Sequence, residues 1–135
     1  MSTIIKNAGF HHVAIFATDF DKSLDFYTVG LGFKPILAWG TENNRAVMLD
    51  IGDGGCIELF AGVKVSKIHD EMAGEWLHFA ISTDDAEGAY NAAIEAGAKT
   101  QMPPTDLIIP STPPLPVKIA FVKGPDGEVI EFFQS

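Results

Sequence analysis

Short runs in which apolar and polar residues alternate recur along the chain, in "HVAIFA", "RAVMLDIG", "CIELFA", "HFAIS", "VKIAFVKG" and "EVIEFFQ". A period of two is the signature of a strand with one buried face. Two stretches have a different rhythm. Phe20, Leu24, Tyr27 and Leu31 fall at spacings of four, three and four, and Ala86, Ala89, Tyr90 and Ala93 fall on one face in the same way, which predicts two amphipathic helices. Asp19 and Asp84 stand where N-caps belong, and Gly32 and Gly97 where helices stop.

The two halves are copies of one plan. "HVAIFATDFDKSLDFYTVGLGFKP" and "HFAISTDDAEGAYNAAIEAGAKT" align with one residue deleted: a His on a strand, a turn at Thr-Asp, a helix, a glycine. Three shorter β-type runs follow each helix, and "DGG" and "PDGE" supply the turn between the last two. The expected architecture is α+β: two tandem βαβββ modules, about 9–62 and 76–135, joined by a linker of about 63–75 within a single domain spanning 9–135. One stretch resists the pattern. "PPTDLIIPSTPPLP", 103–116, carries six prolines around Leu107, Ile108 and Ile109 and reads as a long irregular loop, either a lid or a solvated insertion.

Side chains two apart on a strand share a face. Val13 and Ile15, Ile57 and Leu59, Phe79 and Ile81, and Ile130 and Phe132 are the residues the helices must cover. That leaves His12, Glu58, His78 and Glu131 on the helix-free face, at repeat-equivalent places. A carboxylate among Ile, Leu and Phe is costly to desolvate unless a cation or strong donors meet it. Two imidazoles and two carboxylates suit a divalent metal, with six-coordinate Ni, Co, Mn or Fe favoured if two positions stay open to water, and Zn also accommodated. His11, by parity, is expected to face the helices, and His69 to sit solvated in the linker.

Composition narrows the partners. The net charge is −9, and the nine Lys and Arg are scattered, so no nucleic-acid partner is expected. No run of about 18 apolar residues and no signal-like start occur, which predicts a soluble, cytoplasmic protein with no membrane partner. Cys56 is the single cysteine. It can form no internal disulfide and reads as a small buried hydrophobe or as a residue lining the site.

With the repeat and the four polar residues in place, the chain resembles the vicinal oxygen chelate superfamily, which includes glyoxalase I, methylmalonyl-CoA epimerase, extradiol dioxygenases and the bleomycin and fosfomycin resistance proteins. "HHVAIFATDFDKSLDFYTVGLGFK" is similar to the family's opening strand and helix, and "FVKGPDGEVIEFF" to its closing hairpin. The resemblance implies a U-shaped eight-stranded mixed sheet with a metal in its cleft, a small-molecule substrate and a homodimer. The order His12, Glu58, His78, Glu131 resembles the ligand set of bacterial glyoxalase I, with Ni, Co or Zn ahead of Mn or Fe. By that likeness the activity would be a metal-dependent lyase or isomerase reaction on a 2-oxoaldehyde–thiol hemithioacetal, moving a proton between adjacent carbons through a metal-held enediolate. Glu131 would be the first candidate for the base, with Glu58 its counterpart. The Arg and Asn that contact glutathione in such enzymes are replaced by Phe16 and Gly62. A methylmalonyl-CoA epimerase-like enzyme is the alternative, followed by an extradiol dioxygenase or a small-molecule binding or resistance protein.

Overall fold

The computed structural model describes residues 2–4, 6–62, 74 and 76–135. His69 and all of the expected linker 63–75 except Gly74 lie outside the described residues. The first module contributes strands β1 (His12–Ala17), β2 (Lys34–Trp39), β3 (Ala46–Gly52) and β4 (Gly55–Ala61), in the spatial order β1-β4-β3-β2. The second repeats it with β5 (Phe79–Ser82), β6 (Lys99–Ile109), β7 (Leu115–Lys123) and β8 (Val129–Gln134), in the order β5-β8-β7-β6. In each sheet the first and last strands pair in parallel and the remaining neighbours antiparallel. The expected α+β plan of two βαβββ modules is the observed one, its eight strands divided into two sheets of four.

Helix α1 (Phe20–Asp25) starts at Asp19, whose carboxylate accepts from the Lys22 amide. It then widens into a π-helical segment, Phe26–Gly30, where the Leu31 amide donates to the Phe26 carbonyl five residues back. The extra residue per turn turns both Phe26 and Tyr27 inward, their rings edge-to-face with centroids 5.0 Å apart. A strict 3.6-residue period would have buried only one of them. Helix α2 (Ala86–Glu95) is capped by Asp85, not by Asp84. The Thr83 hydroxyl accepts from the Asp85 amide and holds that residue extended just before the first turn, so this turn is one residue longer than its counterpart at Thr18.

Residues from both helices and from the helix-side faces of both sheets form one core. Val47, Leu49, Ile57 and Leu59 meet there with Ala93, Ala120, Val122, Ile130 and Phe132. Since the covered faces share a core, the two uncovered faces turn away from it. The modules are also joined by polar contacts. Asp126, in the β7–β8 turn, accepts from the Thr18 amide and hydroxyl with one oxygen and from the Ser23 hydroxyl with the other, at 2.7–3.2 Å. Two residues on, Glu128 accepts from the Tyr27 hydroxyl at 2.9 Å. Burial pushes the Glu128 carboxyl above the usual carboxylate range, against the hydrogen bonds it accepts. Burial, with the Glu128 charge beside it, pushes the Tyr27 phenol upward as well.

The proline-rich stretch departs from expectation. Residues through Ile109 belong to β6, where Leu107, Ile108 and Ile109 pair with Val117, Pro116 and Leu115, and the connection shrinks to 110–114. A lid centred on those three residues is therefore ruled out. Pro103 and Pro104 fall inside a register shift between Met102 and Thr105, on a strand at the sheet edge. There a missing N–H breaks no ladder bond, so prolines do not prevent a strand. Among the described residues, no helix is long and apolar enough to cross a membrane.

Candidate metal centre

The strand register puts each sequence-predicted polar residue where period two says it should be. His12 lies opposite Cys56, Ala14 opposite Glu58, and Glu58 opposite Met48, so His12, Cys56 and Glu58 share the face that the helices leave bare. In the second sheet Ala80 lies opposite Glu131 and Glu131 opposite Phe121, with His78 one residue ahead of β5. The His12 Nε2 atom is 3.6 Å from Glu58, and the His78 Nε2 atom is 2.9 Å from Glu131. Both carboxylates are largely sheltered, with side chains 16% and 11% exposed, while the imidazoles are open at 38% and 33%. Each half thus sets an imidazole nitrogen beside a carboxylate oxygen, and at 2.9 Å the His78 ring donates to Glu131.

The four residues form two pairs and not one cluster. Among the described residues no three His, Cys, Asp or Glu side chains approach closely enough to hold one ion. His12 and His78 do border a common recess of about 710 Å³, with Phe10, Trp76 and Leu77 at its rim, but neither Glu58 nor Glu131 lines it. A nitrogen and an oxygen per half are donors that a divalent ion accepts. The donor chemistry of each pair is of a kind that suits a divalent metal.

The two histidines are supported differently. The Nδ1 atom of His12 is 2.8 Å from Nδ1 of His11, a distance at which one ring must donate and the other accept. If the Nε2 lone pair of His12 is kept for a metal, its Nδ1 carries the proton and His11 accepts it. His11 is thus exposed beside the site and not turned to the helices as parity suggested. Strand alternation begins only at His12, and the residue before a strand is free of it. His78 instead rests edge-on against Phe121, centroids 5.2 Å apart. Cys56, paired with His12 across β1 and β4, is a free thiol buried at 7% exposure and behaves as a small hydrophobe.

Beyond the pairs, the bare face of the first sheet carries aromatic rings that the sequence reading did not connect. Phe16 and Phe60 lie with centroids 5.6 Å apart, and Trp39 meets Phe60 edge-on at 6.2 Å. The alternation in "FKPILAWG" was the available signal for Trp39, but which neighbour it met depended on the pairing of β2 with β3.

Comparison with known proteins places the fold. The sequence profile of the Glyoxalase/Bleomycin resistance protein/Dioxygenase superfamily matches residues 9–132. A probable lactoylglutathione lyase from Vibrio cholerae is 32% identical, over 92% of this chain and 88% of its own. Among solved structures, a glyoxalase I variant from Zea mays superposes with a TM-score of 0.72 at 24% identity, over 93% of this chain. The chain spans only 44% of that maize protein. TnmS3, an antibiotic binding protein from Streptomyces, superposes with a TM-score of 0.68 at 20% identity over nearly the whole of both chains, so the same fold also serves binding. With matching profile, repeat and strand order, the chain belongs to the glyoxalase/bleomycin resistance protein/dioxygenase superfamily.

Proposed function

We propose that this protein is a divalent-metal-dependent lyase or isomerase of the glyoxalase I kind, acting on the hemithioacetal of a 2-oxoaldehyde and a thiol, with each site assembled from two copies of the chain. The observation that carries the reading is the pair of matched half-sites, His12 with Glu58 and His78 with Glu131, each on a bare sheet face and each two donors short of a full set. Two copies related by a two-fold axis would bring the first half of one to the second half of the other, twice. The maize enzyme supports this indirectly, since a chain of which this one spans 44% has room for two such units.

The ion, Ni, Co or Zn by the donor set, would supply positive charge where the substrate's oxygens develop negative charge. The remaining work falls to the chain. With the ion bound, His12 and His78 would give up any Nε2 proton and offer that lone pair to it, and His11 would fix the tautomer of the first. Glu131, the drier carboxylate, removes the proton from the carbon beside the carbonyl and returns it to the neighbouring carbon; Glu58 faces it from the other side. Phe121 beside His78, and Met48 and Cys56 beneath Glu58, keep bulk water from the floor of each half. A methylmalonyl-CoA epimerase-like reaction would use the same proton movement on one carbon, and a dioxygenase would consume oxygen instead.

Subunit mixing tests the assembly and the chemistry together. His12→Ala and His78→Ala proteins should each bind little nickel and fail to exchange the substrate's α-proton with deuterated water. Unfolded and refolded together, they should recover about one quarter of the wild-type sites, because half of the random dimers keep one intact set. No recovery from the mixture, with each variant folded, would place the site within one chain. Oxygen uptake in place of proton exchange would replace the lyase reading with a dioxygenase.

A further inference from the structure

We infer that the first half-site is extended by an aromatic platform, and that the substrate carries an uncharged aromatic ring where a glutathione arm would carry charges. This rests on the metal-centred reading above and names the substrate class of that site. Phe16, Phe60 and Trp39 lie on the same face as His12 and Glu58, because Phe16 pairs with Phe60 and both Phe60 and Trp39 pair with Ala46. The three rings touch in sequence, at 5.6 Å and 6.2 Å, and remain open, with Phe16 50% and Trp39 43% exposed. Exposed rings held by one another present a fixed π surface, and a planar ring gains most from such a surface.

Reach and charge define the occupant. Phe60 follows Glu58 by two residues and Phe16 follows His12 by four, so the rings begin about 7 Å from the donors and extend to about 13 Å. A ligand with its chelating oxygens at the half-site would place a ring two or three bonds farther on over Phe60. Among the described residues, no cation stands at this end of the face. Lys34 is at the other end, opposite Asp50, and Arg45 is turned to the far side, stacked on Phe20 and paired with Asp21. Gly62 cannot supply an amide, since a Cβ there would meet the Asn43 carbonyl oxygen at 2.5 Å on a backbone with φ of +86°. The net charge of −9 also disfavours an anionic arm.

The test uses nickel-loaded protein and two hydroxamates that chelate through adjacent oxygens, propanohydroxamate and 3-phenylpropanohydroxamate, with non-chelating 3-phenylpropanamide as a third probe, followed by calorimetry. The phenyl group should tighten binding to wild type by about tenfold or more. That advantage should vanish in Phe16→Ala and Trp39→Ala, while propanohydroxamate binds all three proteins alike and their melting temperatures agree. Equal affinity of both hydroxamates for wild type would overturn the platform and leave the metal reading standing. Ring-dependent binding of the amide, with no effect of nickel on either hydroxamate, would keep the platform and overturn the metal reading. If Phe16→Ala or Trp39→Ala instead dissociates a dimer, the rings are a contact between copies and the inference fails.

Discussion

The two half-sites began as copies and are no longer equivalent. In the first, His12 stands 3.6 Å from Glu58 and is braced through Nδ1 by a second imidazole. In the second, His78 stands 2.9 Å from Glu131 and is braced by the edge of a phenyl ring. The first imidazole is therefore held by a hydrogen bond, and the second by packing in drier surroundings. A repeated fold can keep the same four polar residues and still hold them differently, because the residues sit on or beside strands that the repeat preserves while their supports come from positions it does not.

The sharpest way to break that comparison is at the carboxylates. Glu131→Gln should lower turnover on a hemithioacetal substrate by at least about 100-fold, the usual worth of a positioned general base. Glu58→Gln, measured in the same steady-state assay with metal in excess, should fall less; equal losses would mean that the two halves share the proton evenly. Next in size is the brace. His11→Phe keeps a ring but removes the acceptor for His12 Nδ1, and should weaken nickel binding by about tenfold, at the lower end of what outer-shell partners contribute. His11→Asn should restore much of it, and Phe121→Leu should change nickel affinity little.

Smaller effects belong to the contacts between modules. Tyr27→Phe deletes the hydroxyl that donates to Glu128 and should cost about 1–2 kcal/mol in urea unfolding, since the carboxylate is left half-buried without that donor. Glu128→Gln gives the smallest and most diagnostic shift. Burial raises the folded-state pKa of Glu128 above its ordinary value, so the folded chain holds this proton more tightly than the unfolded chain does. The group's contribution is fully present below the ordinary glutamate pKa and is lost as pH rises through the raised one. Wild type should thus lose stability relative to Glu128→Gln as pH climbs through and above the ordinary glutamate range; parallel pH profiles would contradict it.

What could be seen in the sequence was local. His12, Glu58 and Glu131 were legible because each lies inside a strand whose alternation is clean, and His78 because it directly precedes one and keeps that parity. The modules were legible because two amphipathic helices repeat, although the second cap lies at Asp85, one residue past the expected Asp84. His11 was misjudged by carrying the alternation one residue beyond the start of β1. The prolines of β6 hid a strand, since their harmlessness depends on its being at an edge, which only pairing reveals. The π-helical segment that buries Phe26 beside Tyr27, and the carboxylates that tie "PDGE" to the first helix, are answers to packing between the modules. No window of sequence contains both partners of those contacts.

The Asp126 carboxylate bonded to Thr18 has a consequence for the order of events during synthesis. The residues are 108 positions apart, so the opening turn of α1 can be formed early but not finished until nearly the whole second module has been made. Among the described residues, the equivalent turn of the first module, at Asp53 and Gly54, has open space around Gly52 and Gly54 and makes no such bond to the second. A nascent first module therefore has Ser23 and Tyr27 without their Asp126 and Glu128 partners, and the late hairpin closes the unit by reaching back to its start. A ribosome-stalled chain ending before Asp126 should accordingly protect the strands of its first sheet from hydrogen exchange while leaving the Thr18 amide open.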